Sequence, residues 1–199
     1  MAHVTPLSED QLSDELKTLL VSTKERFGFI PNSLKTMARR PEIALGAAQL
    51  FNSINGPSRK IPAELASMVA QICSKSAGCQ YCQAHTAHTS EGAGVETEKE
   101  MAIWEYETSP LYTDAERAAL RVAQAAGQVP NAVTAEDMAA LKKHYSDEQI
   151  VEIVAVISMF GFLNRWNDTM ATDLEDGAFE AGQRFLADKG WSAGKHRVA

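Results

Sequence analysis

Residues 61–88 read IPAELASMVAQICSKSAGCQYCQAHTAH, and this stretch decides the fold. Pro62 suits a helix start, where its missing N–H would have no partner. From Ala63 to Ala77 the apolar residues Leu65, Met68, Val69 and Ile72 recur at helical spacing, which predicts one buried face. Gly78 stops that helix. A second one is expected to start at Cys79 and run to about Glu91, ahead of Gly92-Ala93-Gly94. Cys79-Gln80-Tyr81-Cys82 therefore occupies a helix's first turn.

Outward from this pair the chain keeps reading as helix. Ser8 is expected to cap Glu9 to Arg26, with Leu12, Leu16, Leu19 and Leu20 at helical spacing and Gly28 just beyond. Pro31 opens a short helix through Ala38. Pro41 opens another, which Asn55-Gly56-Pro57 ends. Further helices are expected at Glu96 to Glu107, Asp114 to Ala126, Ala135 to Tyr145, Asp147 to Phe160 and Phe179 to Lys189. Thr113, Thr134 and Ser146 stand at three of their N-caps. No segment alternates with period two for long enough to make a strand, so the fold class is all-α. A weak internal repeat lays Leu65–Ile72 over Ile150–Ile157 at a shift of 85 residues. The same shift lays Cys79 and Cys82 over Asn164 and Asn167, and Ser67 over Glu152.

Composition excludes several classes of function. The chain has 199 residues, 45% apolar and 23% charged, which is ordinary for a packed domain and argues against wholesale disorder. A net charge of −7 with scattered Lys and Arg argues against nucleic acid or an anionic membrane as partner. Met1 to Glu9 lacks a signal-peptide pattern, and the longest apolar run, Ile153 to Leu163, is interrupted by Ser158 and Gly161. The expectation is a soluble, cytoplasmic protein.

Three cysteines, Cys73, Cys79 and Cys82, are too few and too crowded for a secreted disulfide scaffold. Two thiols three residues apart at a helix start lie within disulfide reach, and the unpaired N–H groups there stabilise a thiolate. His85 projects onto the same face as Cys82 and can take a thiol proton or hold positive charge beside a thiolate. His88, one turn on, drifts off that face. Zinc bound by Cys79, Cys82, His85 and His88 is the competing reading, but one regular helix cannot wrap all four around an ion. Cys73, inside the preceding helix, reads as a core thiol. The run Glu96–Glu100 reads as a solvated helix face. Asn164, Arg165, Asn167 and Asp168 read as a hydrogen-bonded turn, with a pocket wall as the second choice.

The stretch from Ile61 to His88 resembles the core of the alkylhydroperoxidase D-like, carboxymuconolactone decarboxylase superfamily. TDAERAALRVAQAAGQVPNAVT and FLNRWNDT further on are similar to its peroxidase-related branch. The resemblance spans about residues 30–175 and implies an all-α fold of helical hairpins. With the chain's length, which fits one domain with arms, the expectation is a single all-α domain over 1–199: a helical arm at 1–28, the alkylhydroperoxidase D-like core at 30–175 and a C-terminal helix and tail at 176–199. The resemblance also implies a homo-oligomer with active sites near subunit boundaries.

The activity so implied is thiol-dependent reduction of alkyl hydroperoxides without haem, flavin or metal. The redox-active Cys79–Cys82 disulfide would be reduced again by an external dithiol. By the same resemblance Cys82 is the peroxidatic thiol, Cys79 resolves it, and His85 joins a proton relay with a glutamate on the preceding helix. Helix-dipole reasoning alone favours Cys79 as the better stabilised thiolate. The relay departs from the family pattern in places. The usual histidine position holds Thr86, the usual glutamate position holds Ser67, and Tyr81 stands where the best-known peroxidase has histidine. Glu64, one turn before Ser67, is the substitute acid. Glu152, His88 and Tyr81 are further relay candidates. The rival functions are a carboxymuconolactone decarboxylase-type enzyme and a zinc-binding or redox-sensing module.

Overall fold

The computed structural model describes residues 2–197. Positions 1, 198 and 199 at the ends of the expected arm and tail lie outside the described residues, as do the side chains of Leu19, Ser22 and Arg26. Eleven α-helices and short 3-10 turns make up the described secondary structure, and no strand occurs among the described residues.

The centre is α5 (Ala63–Ser76) followed by α6 (Gln80–Ser90), with α8 (Asp114–Ala126), α10 (Asp147–Met170) and α11 (Asp176–Leu186) packed around them. Gly78 has φ 76°, a left-handed conformation open to glycine at little cost, and it lets the chain leave α5 and re-enter α6 within three residues. A main core runs through Leu65, Met68, Val69 and Ile72 of α5 to Leu120, Ile153 and Leu186. A second cluster joins Leu12, Leu16 and Leu20 to Ala44, Ala47 and Ala48 of α4 (Pro41–Asn55).

Local chemistry explains most helix starts. Thr113, Thr134 and Ser146 all form capping boxes, with Glu116, Asp137 and Gln149 returning the bond. Such caps contribute about 1 kcal/mol each. Three expectations need correction. The stretch expected as one helix over Glu9–Arg26 is a 3-10 turn (Glu9–Gln11), α1 (Asp14–Leu19) and α2 (Val21–Phe27); Ser13 starts α1 by accepting the Leu16 N–H. Glu96–Glu107 is broken into α7 (Thr97–Met101) and a 3-10 turn at Ile103–Glu105. The helix expected to stop at Phe160 continues to Met170. Gly161 costs roughly 1 kcal/mol inside a helix, and the packing of Ile153, Val156, Ile157, Met159 and Leu163 against neighbouring helices outweighs it.

The uninterrupted α10 is also long and apolar enough, by length and composition, to cross a membrane. Here it lies against α4, α5, α6 and α8. Its outer face exposes Val151, Val154 and Phe162, beside a groove walled by Val122, Val129 and Met138. Position 163, which the proposed 85-residue shift would lay over Gly78, lies inside α10 with no break.

Candidate active site

Cys79 is the N-cap of α6, and its Sγ accepts the Cys82 N–H at 3.4 Å. Both thiols are free, and both are fully buried, at 0% and 2% exposure. Burial, then the adjoining Cys79 side chain, push the Cys82 thiol well above the ordinary range, while a 3.4 Å hydrogen bond from Asn167 Nδ2 pulls the other way. Cys82 is therefore held as the protonated thiol.

A cavity of about 80 Å³ lies between the two cores. Among the described residues its wall includes Cys82 but not Cys79, so a small molecule inside meets Cys82. His85 and Asn167 line the same space. The remaining wall is mostly apolar: Ala47, Ala48 and Phe51 from α4, Ala66 and Ala70 from α5, and Met159 from α10. The expected N-terminal arm adds Thr23 and Phe27.

The acid beside His85 is Glu175. Its Oε2 lies 2.7 Å from His85 Nε2, and its Oε1 accepts the Tyr81 hydroxyl at 3.1 Å and the Asn32 N–H. Burial pulls the Glu175 carboxyl up, and the charge and hydrogen bond of His85, with the Asn32 N–H, more than offset it. The group therefore stays below its ordinary range. Tyr81 stacks on the His85 ring at 4.2 Å between centroids, and Phe29 meets it edge-on at 5.8 Å. Burial, then the Glu175 charge, hold the Tyr81 phenol well above its ordinary range, so it remains a donor.

Local structure explains how Glu175 arrives. The helix α10 ends on Ala171 in the left-handed region (φ 48°), and Leu174 N–H bonds the His196 carbonyl at 2.8 Å. His196 Nδ1 pairs with the Thr172 carbonyl at 2.8 Å, so the tail braces the short linker that ends in Glu175, the N-cap of α11. Trp191 Nε1 donates to the Gln80 carbonyl at 3.1 Å, tying the same tail to the cysteine turn.

The structure therefore brings Cys79, Cys82, His85 and Tyr81 together and separates the other relay candidates. Glu64 pairs with Lys99 at 2.7 Å and is not part of the cavity wall that holds His85. Glu152 accepts the Lys60 and Ile61 N–H groups at 2.8–2.9 Å, which holds the approach to α5. His88 Nε2 bonds the Phe27 carbonyl at 2.9 Å. Thr86, at the usual histidine position, bonds Gln71 within the hairpin. The zinc set does not assemble: among the described residues no three His, Cys, Asp or Glu side chains converge in a metal-binding arrangement. Cys73 lies 3.7 Å from the Ile157 carbonyl, and burial pushes its thiol up to about 11. Asn164 and Asn167 stand inside a helix rather than a turn, and Asn167 is a wall residue of the cavity.

The chain belongs to the alkylhydroperoxidase D-like, carboxymuconolactone decarboxylase superfamily. Among solved structures it is similar to the apo debrominase Bmp8, at 36% identity and TM-score 0.86 over 92% of this chain and 97% of that one. A Cys-to-Ala variant of Bmp8 in complex with 2,3,4-tribromopyrrole matches at 34% identity and TM-score 0.87, over 93% of this chain and 98% of that one. A peroxidase-related protein from Ralstonia eutropha JMP134 shares the fold at 19% identity and TM-score 0.78, over 93% and 95% of the two chains. The uncharacterised protein YnjA of Escherichia coli (strain K12) is 28% identical over 102 residues, 51% of this chain and 54% of that protein. This chain thus spans about half the length of the curated relative it matches. No family model matches the chain.

Proposed function

We propose that this chain is a two-thiol reductase that removes halogen from a small halogenated aromatic held in the cavity. The observation that carries this reading is that Cys82, and not Cys79, faces an apolar cavity shared with His85, whose partner is Glu175. Similarity to a debrominase at 36% identity over nearly the whole chain supports the choice of substrate.

In the proposed sequence His85, held by Glu175, takes the Cys82 proton, and the thiolate attacks the halogen. The carbon–halogen pair stays on carbon and is protonated, giving Ar–H and a Cys82 sulfenyl halide. The Cys79 sulfur then displaces halide, forming the disulfide and releasing one proton. The net change is Ar–X plus two thiols to Ar–H, one disulfide, H⁺ and X⁻. An external dithiol, available in a reducing cytoplasm, restores the pair.

The same thiols would reduce an alkyl hydroperoxide, with Cys82 forming a sulfenic acid and Cys79 the disulfide, yielding alcohol and water. The buried apolar wall around Cys82 favours this second reading for a hydroperoxide with an apolar chain over hydrogen peroxide. A homo-oligomer belongs to the same proposal. The apolar groove beside α10 is the surface a second copy would cover, and light scattering measures the assembly.

The deciding experiment supplies dithiothreitol with either 2,3,4-tribromopyrrole or cumene hydroperoxide, and measures bromide release or peroxide loss. Wild type is expected to release bromide, Cys82→Ser to be inactive, and Cys79→Ser to slow sharply after one turnover. Peroxide loss alone moves the assignment to the second reading. Equal rates in all three proteins for both substrates refute both readings.

A further inference from the structure

Asn167 is 1% exposed, lines the cavity and gives its amide N–H to the sulfur that would do the attacking, at 3.4 Å. Its other end faces no donor of the protein. The amide oxygen is buried and has no hydrogen-bond partner. A buried acceptor left bare costs free energy unless something that binds there supplies a donor. The Tyr81 hydroxyl, on the same cavity wall, already donates to Glu175.

We infer that Asn167 reads the substrate: while Nδ2 steadies the Cys82 sulfur, Oδ1 accepts a hydrogen bond from an N–H or O–H carried beside the atom under attack. Both ends belong to one planar amide, so the donor on Oδ1 and the atom on Sγ must be close neighbours in the ligand. A ring N–H adjacent to a halogen-bearing carbon, as in a pyrrole, meets that spacing, as does a phenol with an ortho halogen. Rings without such a donor leave Oδ1 bare and should bind poorly, because buried polar sites discriminate strongly against analogues lacking the partner. This inference rests on the two-thiol reading for its attacking sulfur, yet it concerns recognition and can be measured without turnover.

The test uses the full chain in a Cys82→Ser background, which blocks turnover and leaves an oxygen for Nδ2. Calorimetry compares 2,3,4-tribromopyrrole with its N-methyl derivative. The N–H ring is expected to bind at least about tenfold more tightly, the worth of one buried hydrogen bond. Asn167→Leu should erase the difference, and Asn167→Asp, which keeps the acceptor, should retain it. In the Cys82 protein, alkylation of the thiol against pH reports the donor end, and its midpoint should move upward in Asn167→Leu. Equal binding of the two rings, no binding of either, or a preference that survives Asn167→Leu overturns the inference. An N–H preference in a protein that releases no bromide leaves Asn167 as the reader and overturns the dehalogenation reading instead. Bromide release with no preference between the rings does the reverse.

Discussion

Glu100 in α7 is 1% exposed, one of its carboxyl oxygens has no partner, and its nearest polar neighbours are Ser90 and the like-charged Glu91. Burial, partly offset by the Ser90 hydrogen bond and reinforced by Glu91, pushes its carboxyl up from 4.5 to about 7. In the unfolded chain this group ionises near pH 4.5; in the folded protein it stays neutral until about pH 7. Unfolding between those values releases a proton, so stability falls as pH rises through the window and levels off above it. A rise of about 2.5 units is about 3 kcal/mol in order of magnitude. Glu100→Gln removes the ionisation while nearly keeping the shape. Urea unfolding of both proteins at pH 5, 6, 7 and 8, at matched ionic strength, isolates the effect, since other titrations cancel in the difference. The variant should gain on wild type progressively from pH 5 to 7, by up to about 3 kcal/mol, then hold that lead. A difference independent of pH would refute the reasoning.

Four further outcomes are expected. Glu175→Gln should cut kcat/KM for the accepted substrate by roughly 100-fold through loss of the charge that supports His85 as a base, whereas Glu64→Gln, whose partner is Lys99, should leave it unchanged; equal losses would remove Glu175 from the relay. With no substrate bound, alkylation of Cys82 should keep accelerating beyond pH 9, because burial and the neighbouring thiol hold it protonated; a plateau near pH 7 contradicts the burial argument. Gly182→Ala places a methyl 2.5 Å from the Trp191 indole. It should cost about 1–3 kcal/mol and disturb the Trp191–Gln80 bond, seen as changed near-ultraviolet dichroism. Ser146→Ala should lower unfolding free energy by about 1 kcal/mol, measured in urea.

The hairpin at Gly78 and the capped helix starts were legible because their causes are local: a left-handed glycine, or an oxygen three residues before an N–H. Cys79, Cys82 and His85 were legible for the same reason, since helical spacing alone puts them together. Glu175 was not, because its contact with His85 spans 90 residues and is made by a linker turn at Ala171 and a tail bond from His196. The nearest sequence signal was an acid standing just before Asp176 at a helix start, which also suits an ordinary N-terminal charge. Glu100 belongs to a charged run that reads as solvated. Its burial comes from the neighbouring elements α7 meets, not from its own periodicity. The length of α10 was missed because Gly161 and Asn164 are poor helix residues, and tertiary burial overrode that preference.

The distance along the chain between His85 and Glu175 also sets an order of events during synthesis. At typical elongation rates a ribosome needs roughly 5–20 s to add those 90 residues. For that interval the nascent hairpin carries its thiol pair and its imidazole without the carboxylate, and without the tail that ties Trp191 to Gln80. The proposed chemistry is thus withheld from an incomplete chain: at that stage two cysteines stand on an unfinished helix start, without the His85–Glu175 pair.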